Sequence, residues 1–432
     1  MRCHFIPGYL LDRLVQADDE DLAGCARHTL VTDARVRSRT SAAAPTAPAA
    51  SASAPSAWEV YDAHNGTALP GSLVLSPGGA PVSDVTVNEA ATGITQSLAL
   101  FKDLGRSSYD DKGATVVATV HYEQDYDNAF WDGTQLVFGD GDGKVFDRFT
   151  KPIDVLGHEL SHAVTQFTAD LTYQGQSGAL NESLSDVFGA CIKQRYLGQD
   201  AASADWLVGE GIFLPGINGV ALRSMVDPGT AYDDPAIGKD PQVGSMADYV
   251  ETSDDNGGVH LNSGIPNRAF VLAARAIGGL SWEGAGRVWY AALTSGLSAD
   301  SDFATFAEAT VAAAGAQAAA VSAAWTEVGV LGSTATPPAA PAPASSETVE
   351  VARTGGIAGL TKRGAVDLTS NDPRVPEVRE LVQRIDFRAL GGGEAAPDRF
   401  VYRFRYAATE AQVHEPDLTS DLRELARLVL EE

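Results

Sequence analysis

Apolar and polar positions follow two different rhythms along the chain. From residue 58 to about residue 146, turn clusters alternate with short β-prone runs, clearest at 115–122 and 135–138, as expected of a sheet-rich lobe. After Asp205 the rhythm becomes helical: 267–277, 282–293, 303–314 and 316–328 carry apolar residues three and four apart. Between the two lies a further helical stretch, 178–189, with Leu180, Leu184, Val187 and Phe188 on one side. The N-terminal 39 residues predict two helices, around 9–15 and 19–37; a solvated tail is the other reading. The last piece, 347–432, predicts a strand at 400–406, helices at 378–385 and 418–430, and an alternating start at Val349 and Val351. Two Ala/Pro/Ser-rich stretches, 40–57 and 333–346, read as linkers. The expected organisation is an N-terminal segment 1–39, a two-lobed α+β body divided into 58–195 and 196–332, and a small α+β C-terminal domain at 347–432.

Charge narrows the partners. Lys and Arg number 31 against 57 Asp and Glu, a net charge of −26, which disfavours nucleic acid and anionic membrane surfaces. No run approaches the ~20 apolar residues of a membrane span. Three scattered cysteines, Cys3, Cys25 and Cys191, make no disulfide framework. Residues 1–15 lack the apolar core of a Sec signal, being broken by His4, Pro7, Gly8, Asp12 and Arg13.

The sharpest chemical signal is His158-Glu159-Leu160-Ser161-His162. On a helix the two imidazoles lie one turn apart on the same face and can converge on one metal. Two surface histidines on an amphipathic helix would give the same spacing. A catalytic zinc takes three protein ligands and keeps one position open, and Glu182, twenty residues beyond His162, supplies the third. Asp186 shares a helix face with Glu182, where it can hold the outer nitrogen of a zinc histidine. The 139–143 Gly-Asp-Gly-Asp-Gly cluster lacks the spacing of an EF-hand and reads as a tight turn.

Tyr61-Asp62, Leu69-Pro70-Gly71, Asn128-Ala129-Phe130-Trp131, His158 to His162, Gly178 to Ser183, Leu222-Arg223-Ser224-Met225 and Asp255-Asn256-Gly257-Gly258-Val259-His260, in that order, resemble the thermolysin-like neutral metalloproteases. Ile6-Pro7-Gly8-Tyr9-Leu10-Leu11 resembles the compact propeptide of the protealysin subgroup, with Gly8 where a second Pro is usual. Residues 347–432 are similar to emfourin, an inhibitor of such proteases. The resemblance implies one catalytic zinc on His158, His162 and Glu182. It makes Glu159 the base and Tyr173 and His260 the donors to the tetrahedral intermediate. Asp255 would orient His260, and Arg223 would bind a substrate carbonyl. Asn128 and Ala129 would pair with an extended peptide, and Phe130, Val155 and Leu222 would line the apolar pocket after the scissile bond. Asp154, Asp205 and Glu210 fall on calcium positions, yet Lys193, Leu207, Leu214 and Val220 stand where other ligands belong, so one calcium ion or none is expected.

These features predict a zinc endopeptidase cutting before bulky apolar residues, made as a latent precursor. Its own N-terminal segment and C-terminal domain would act as intramolecular inhibitors. A zinc aminopeptidase is disfavoured, because the Gly-Ala-Met-Glu-Asn sequence that recognises a free amine is absent. The non-enzyme alternative is an inert zinc scaffold acting through the C-terminal domain, itself readable as a binding or anchoring module. Secretion by a route without a Sec signal is expected, with cytoplasmic retention as the other reading. Cys3 could approach the zinc as a thiolate or stay a free thiol.

Overall fold

The computed structural model describes residues 3–40, 57–332, 348–355, 362–370, 372–385, 400–406, 409–414 and 418–430. Nearly all of the 40–57 stretch, all of the 333–346 stretch, residues 356–361 and the Cys3 side chain lie outside the described residues. The chain divides into two compact units, Met1–Ser333 and Thr334–Glu432.

In the first unit, strand β1 (Cys3–His4) leads into helices α1 (Gly8–Leu14) and α2 (Glu20–Thr40), close to the two expected helices. Strands β2 (Trp58–Asp62) and β3 (Ser72–Leu75) follow, then helix α3 (Val85–Asp103), β4 (Val116–Val120), β5 (Ala129–Trp131) and β6 (Leu136–Phe138). The six strands form one sheet in the order β1-β5-β6-β4-β2-β3, parallel across β2/β4 and β4/β6 and antiparallel elsewhere.

Helix α3 corrects the expectation of a lobe made only of strands and turns. Its β-branched opening, Val85-Thr86-Val87, hides a helix start. The Asp84 carboxylate caps it by accepting the amides of Thr86 (2.9 Å) and Val87 (3.5 Å). The buried positions Val87, Ala90, Ala91, Ile94, Leu100 and Phe101 then follow helical spacing. His121 ties this cap to the loop after β6, with Nδ1 at 2.7 Å from Asp140 and Nε2 at 2.9 Å from Asp84. In that loop Asp142 accepts the amides of Lys144, Val145 and Phe146, closing the expected turn.

Helices α4 (Ile153–Gln166) and α5 (Gly175–Leu197) pack at the centre. The second runs well beyond the 178–189 stretch legible from apolar spacing, because nearly all its faces are buried and no polar stripe marks its ends. Gly157 and Gly189 set their approach: a Cβ on Gly189 would stand 2.7 Å from the Asp154 carbonyl, and one on Gly157 2.7 Å from the Ile192 side chain.

Two short antiparallel pairs follow, β7 (Leu207–Val208) with β8 (Arg223–Ser224) and β9 (Asp233–Asp234) with β10 (Gly238–Lys239). The helical lobe holds α6 (Asp255–Asn262), α7 (Gly264–Ile277), α8 (Ala285–Leu293), α9 (Phe303–Ala313) and α10 (Ala318–Glu327). The last four lie within or near the expected helices and close on an aromatic core of Phe270, Trp289, Phe306 and Trp325, with the two indoles stacked at 5.9 Å.

The second unit is a four-stranded antiparallel sheet, β11 (Thr348–Gly355), β12 (Lys362–Asp367), β13 (Phe400–Tyr406) and β14 (Thr409–His414), in the order β12-β11-β13-β14. Helices α11 (Val375–Arg384) and α12 (Ser420–Leu430) complete it. Its core, including Val351, Val378, Phe404, Leu422 and Leu425, is drawn entirely from its own residues. Among the described residues no helix is long and apolar enough to cross a membrane.

Candidate active site

The helical register of α4 and the crossing of α5 bring His158, His162 and Glu182 together with almost no exposed surface. The His158 and His162 Nε2 atoms are 2.9 Å apart, and each lies 3.5–3.6 Å from a Glu182 carboxylate oxygen. The outer nitrogens fix the tautomers. His158 Nδ1 is 2.8 Å from Asp186 and His162 Nδ1 2.8 Å from Asn181 Oδ1, whose amide orientation is set by its NH2 donating to the Leu171 carbonyl at 3.3 Å. Ser185 Oγ lies 3.0 Å from the same His162 nitrogen.

With both Nδ1 atoms donating, two imidazole lone pairs and a carboxylate face one point, an arrangement that repels itself unless a cation sits there. Donors about 2.0–2.2 Å from a tetrahedral zinc stand roughly 3.3–3.6 Å apart, which two of the three separations match and the third approaches. The residues therefore fit zinc. Burial and His158 push His162 down to about 3, which keeps it neutral as a ligand must be. Burial would raise the Glu182 carboxyl, but His260, His162 and His158 pull it down to about 2.

Asp186 is the hub behind the ligands. It accepts from His158, from Arg223 through Nε and Nη2 at 2.8 Å each, and from Asn267 at 2.9 Å. Burial opposes its charge, yet Arg223 and His158 hold it well below the usual carboxylate range. Glu159 differs. It is fully buried, the Trp131 amide faces it without closing a hydrogen bond, and neither oxygen has a partner among the described residues. Burial first, then the Glu182 charge, push it well above its ordinary value.

On the other side of the cleft, Asp255, Asn256, Gly257 and Gly258 all adopt left-handed backbone, with φ of 51°, 51°, 83° and 74°. This reversal returns the Asp255 carboxylate onto His260, 2.6 Å from Nδ1 and 2.8 Å from the backbone amide. A Cβ on Gly257 would stand 2.8–2.9 Å from Gln174 and Gly175, so close approach as well as φ demands glycine there. Burial opposes protonation of His260, but Asp255 and Glu182 outweigh it and raise the ring to about 9. Tyr173 donates to Glu182 at 2.5 Å, and its oxygen is 3.3 Å from His260 Nε2.

Residues 3–6 lie along this cleft as an added strand. Cys3 pairs with Trp131 and His4 with Phe130, and the Phe5 amide donates to the Ala129 carbonyl at 3.0 Å. The Ile6 amide donates to Asn128 Oδ1 at 2.8 Å, and Asn128 Nδ2 donates back to the Ile6 carbonyl at 3.3 Å. Arg223 Nη1 donates to the Phe5 carbonyl at 3.3 Å, and His260 Nε2 is 3.2 Å from the His4 carbonyl.

The Phe5 ring, with none of its surface exposed, meets the edge of His158 at 5.2 Å, Phe149 at 6.5 Å and the Arg223 guanidinium at 4.7 Å. A Cβ on Gly209 would stand 3.2 Å from both the Phe5 ring and Leu222. Leu222 and Val155 are both buried and belong to the same large core cluster as Phe5. Phe130 meets the rings of His4, Tyr122 and Tyr126 and not Phe5, so it lies under the preceding residue. Phe149, Gly209 and Asn181 are further residues of the site that motif spacing did not single out.

Helix α2 anchors the segment from behind. Asp33 accepts from Tyr126 OH (2.6 Å) and Asn128 Nδ2 (3.0 Å) and lies 3.3 Å from His4 Nε2, while Thr32 donates to Glu123 at 2.7 Å. Asp205 and Glu210, expected at calcium positions, face Lys193, whose Nζ is 3.0 Å and 2.9 Å from them. Asp154 accepts the Gly209 amide at 3.1 Å, and burial raises it to about 6.

The chain is similar to known proteins. The thermolysin metallopeptidase catalytic domain matches residues 48–166, the thermolysin metallopeptidase alpha-helical domain 169–330, and emfourin 351–430. The "Extracellular metalloprotease" of Pectobacterium carotovorum subsp. carotovorum is 48% identical over 72% of this chain and 89% of its own length. "Protease PrtS" of Photorhabdus is 52% identical over 58% of this chain and 69% of its own. The precursor of protealysin, a metalloproteinase from Serratia proteamaculans, superposes with a TM-score of 0.69 at 48% identity, covering 76% of this chain and 99% of that one. With its zinc-ligand triad, its two-lobed fold and these relatives, the chain belongs to the thermolysin family of zinc metalloendopeptidases and carries an emfourin domain at its C-terminal end.

Proposed function

We propose that this endopeptidase cuts on the N-terminal side of bulky apolar residues, is latent while residues 1–39 fill its cleft, and is further restrained by its emfourin domain. The observation that carries the reading is Phe5: an apolar side chain sealed beside the ligand His158, with its amide on Ala129 and its carbonyl on Arg223. A peptide added to a sheet edge takes its affinity from such main-chain bonds and its specificity from the pocket. Zinc held by His158, His162 and Glu182 would supply Lewis acidity to the reacting carbonyl.

The chain's own groups would do the rest. Glu159 takes the proton of the attacking water and passes it to the leaving amine. His260, oriented by Asp255, donates to the carbonyl oxygen, as does Tyr173 once it turns from Glu182. Asn128, Ala129 and Arg223 hold the peptide backbone. Lys193 places an ammonium among Asp205 and Glu210, a charge that offsets the need for calcium there. The name of the Pectobacterium relative supports action outside the cell.

The test is hydrolysis of an N-blocked peptide by chain freed of residues 1–39, lost on chelation and restored by zinc. A peptide with Leu, Phe or Ile after the cut bond should be favoured roughly ten- to a hundredfold over one with Asp, since burying such a side chain is worth about 1.5–3 kcal/mol. Preference for an acid there would refute the pocket; cleavage only of unblocked peptides would favour an aminopeptidase.

Latency makes its own prediction. Asp33→Ala removes a buried acceptor of hydrogen bonds from Tyr126 and Asn128, and losing the equivalent of one such charged bond costs about 1.5–3 kcal/mol. Amide hydrogen exchange in α2 should accelerate roughly ten- to a hundredfold. Unchanged protection would show that Asp33 does not anchor the segment.

A further inference from the structure

We infer that the N-terminal segment occupies the cleft as a substrate in productive register, and that the enzyme hydrolyses its own His4–Phe5 bond while the rest of the segment stays docked. The inference rests on the endopeptidase reading above and adds a processing site to it.

The register follows from which atoms meet. The bond in question joins the His4 carbonyl to the Phe5 nitrogen. That carbonyl is 3.2 Å from His260 Nε2, the donor proposed to receive the developing oxyanion. That nitrogen donates to the Ala129 carbonyl. The residue after the bond, Phe5, fills the apolar pocket against His158 and beside Arg223, and its carbonyl receives Arg223 Nη1. The next residue, Ile6, makes a two-way exchange with Asn128. Chain direction, pocket occupancy and carbonyl placement therefore all agree with a peptide presented for cutting between residues 4 and 5. A segment lying in the opposite direction would put no carbonyl before Phe5 toward His260.

The chemistry balances as simple hydrolysis. Water adds to the His4 carbonyl carbon, the C–N bond to Phe5 breaks, and the nitrogen takes a proton. The products are a Met1–His4 peptide ending in a carboxylate and a chain beginning with the Phe5 amine. The two sides of the cut are held very differently. Within the described residues, the short piece is held by the two-residue β1 pairing and the His4 contacts. The long piece keeps the fully or almost fully buried Phe5, Ile6, Leu10, Leu11 and Leu14, and Asp33 on α2. Cutting this bond thus releases a tetrapeptide and leaves the cleft blocked.

The experiment follows the intact mass of the zinc-loaded full chain with time. The expected result is loss of residues 1–4 as a first-order process, with a rate independent of protein concentration, while Glu159→Ala retains them. Phe5→Leu should keep the cut and Phe5→Asp abolish it at this bond. In metal-free chain, the Phe5 and Ile6 amides should remain protected from hydrogen exchange. Retention of residues 1–4, a first cut elsewhere, or a rate that rises with concentration would overturn the inference. Phe5→Asp in chain ending at Gly332, whose core is its own, separates the two failures. If it hydrolyses a blocked peptide while wild-type chain keeps residues 1–4, the register is wrong and the endopeptidase reading stands. If chain ending at Gly332 and freed of residues 1–39 also hydrolyses no blocked peptide, both fall.

Discussion

Glu159→Ala is expected to keep its zinc and lose turnover of a blocked peptide by roughly 10²–10⁴-fold, the usual contribution of a positioned general base. The ligand set does not depend on this side chain. His158 is held by Asp186, His162 by Asn181 and Ser185, and Glu182 is oriented by Tyr173. Nor does folding depend on it, because neither carboxylate oxygen has a hydrogen-bond partner among the described residues, so deletion orphans no buried donor. Removing a desolvated carboxylate should leave thermal stability unchanged or higher. The contrast is Glu182→Ala, which takes away one of three ligands and should lose the metal. Metal content and the rate of blocked-peptide hydrolysis, measured on chain ending at Gly332 and freed of residues 1–39, decide the matter. A zinc-loaded Glu159→Ala that turns over like wild type would end the proposed role of Glu159 as the base.

The parts of the site legible in sequence are those set by one helix's own geometry. His158 and His162 share a face because they are four apart, and Glu182 and Asp186 for the same reason; the α4 and α5 packing then brings the two pairs together. What sequence did not reveal depends on approach between distant segments. The two-residue strand β1 exists because β5 offers an unpaired edge, and no periodicity marks a two-residue element. Asp33 looks like any acid on an amphipathic helix until Tyr126 and Asn128 are seen to converge on it. Phe149 and Gly209 enter the pocket through loops whose course is set by the core. Helix α3 was legible in principle: Asp84 stands where a cap belongs and the apolar spacing is helical, but the valines at its start read equally well as a strand. The calcium positions show the reverse case. Lys193 was visible as a misplaced charge, and the structure gives it Asp205 and Glu210 as partners.

Truncation after Gly332, in chain already freed of residues 1–39, is expected to raise hydrolysis of a small blocked peptide by up to roughly a thousandfold. The 333–346 stretch puts about fourteen Ala/Pro/Ser-rich residues between the catalytic part and the C-terminal unit. A domain tethered so acts at an effective concentration near millimolar if its linker spans the distance to the cleft, so an inhibitor of about micromolar affinity would leave roughly one molecule in a thousand open. The C-terminal unit has its own core from Val349 to Leu430, so it can be made separately and added back. Adding back residues 347–432 should suppress the truncated enzyme, at concentrations near its intrinsic affinity rather than at the tethered value. A substrate-binding or anchoring module predicts something else: unchanged turnover of the small peptide, with altered cleavage only of large proteins. That outcome would remove the inhibitory role from the C-terminal domain while leaving the zinc site and the N-terminal mask as argued.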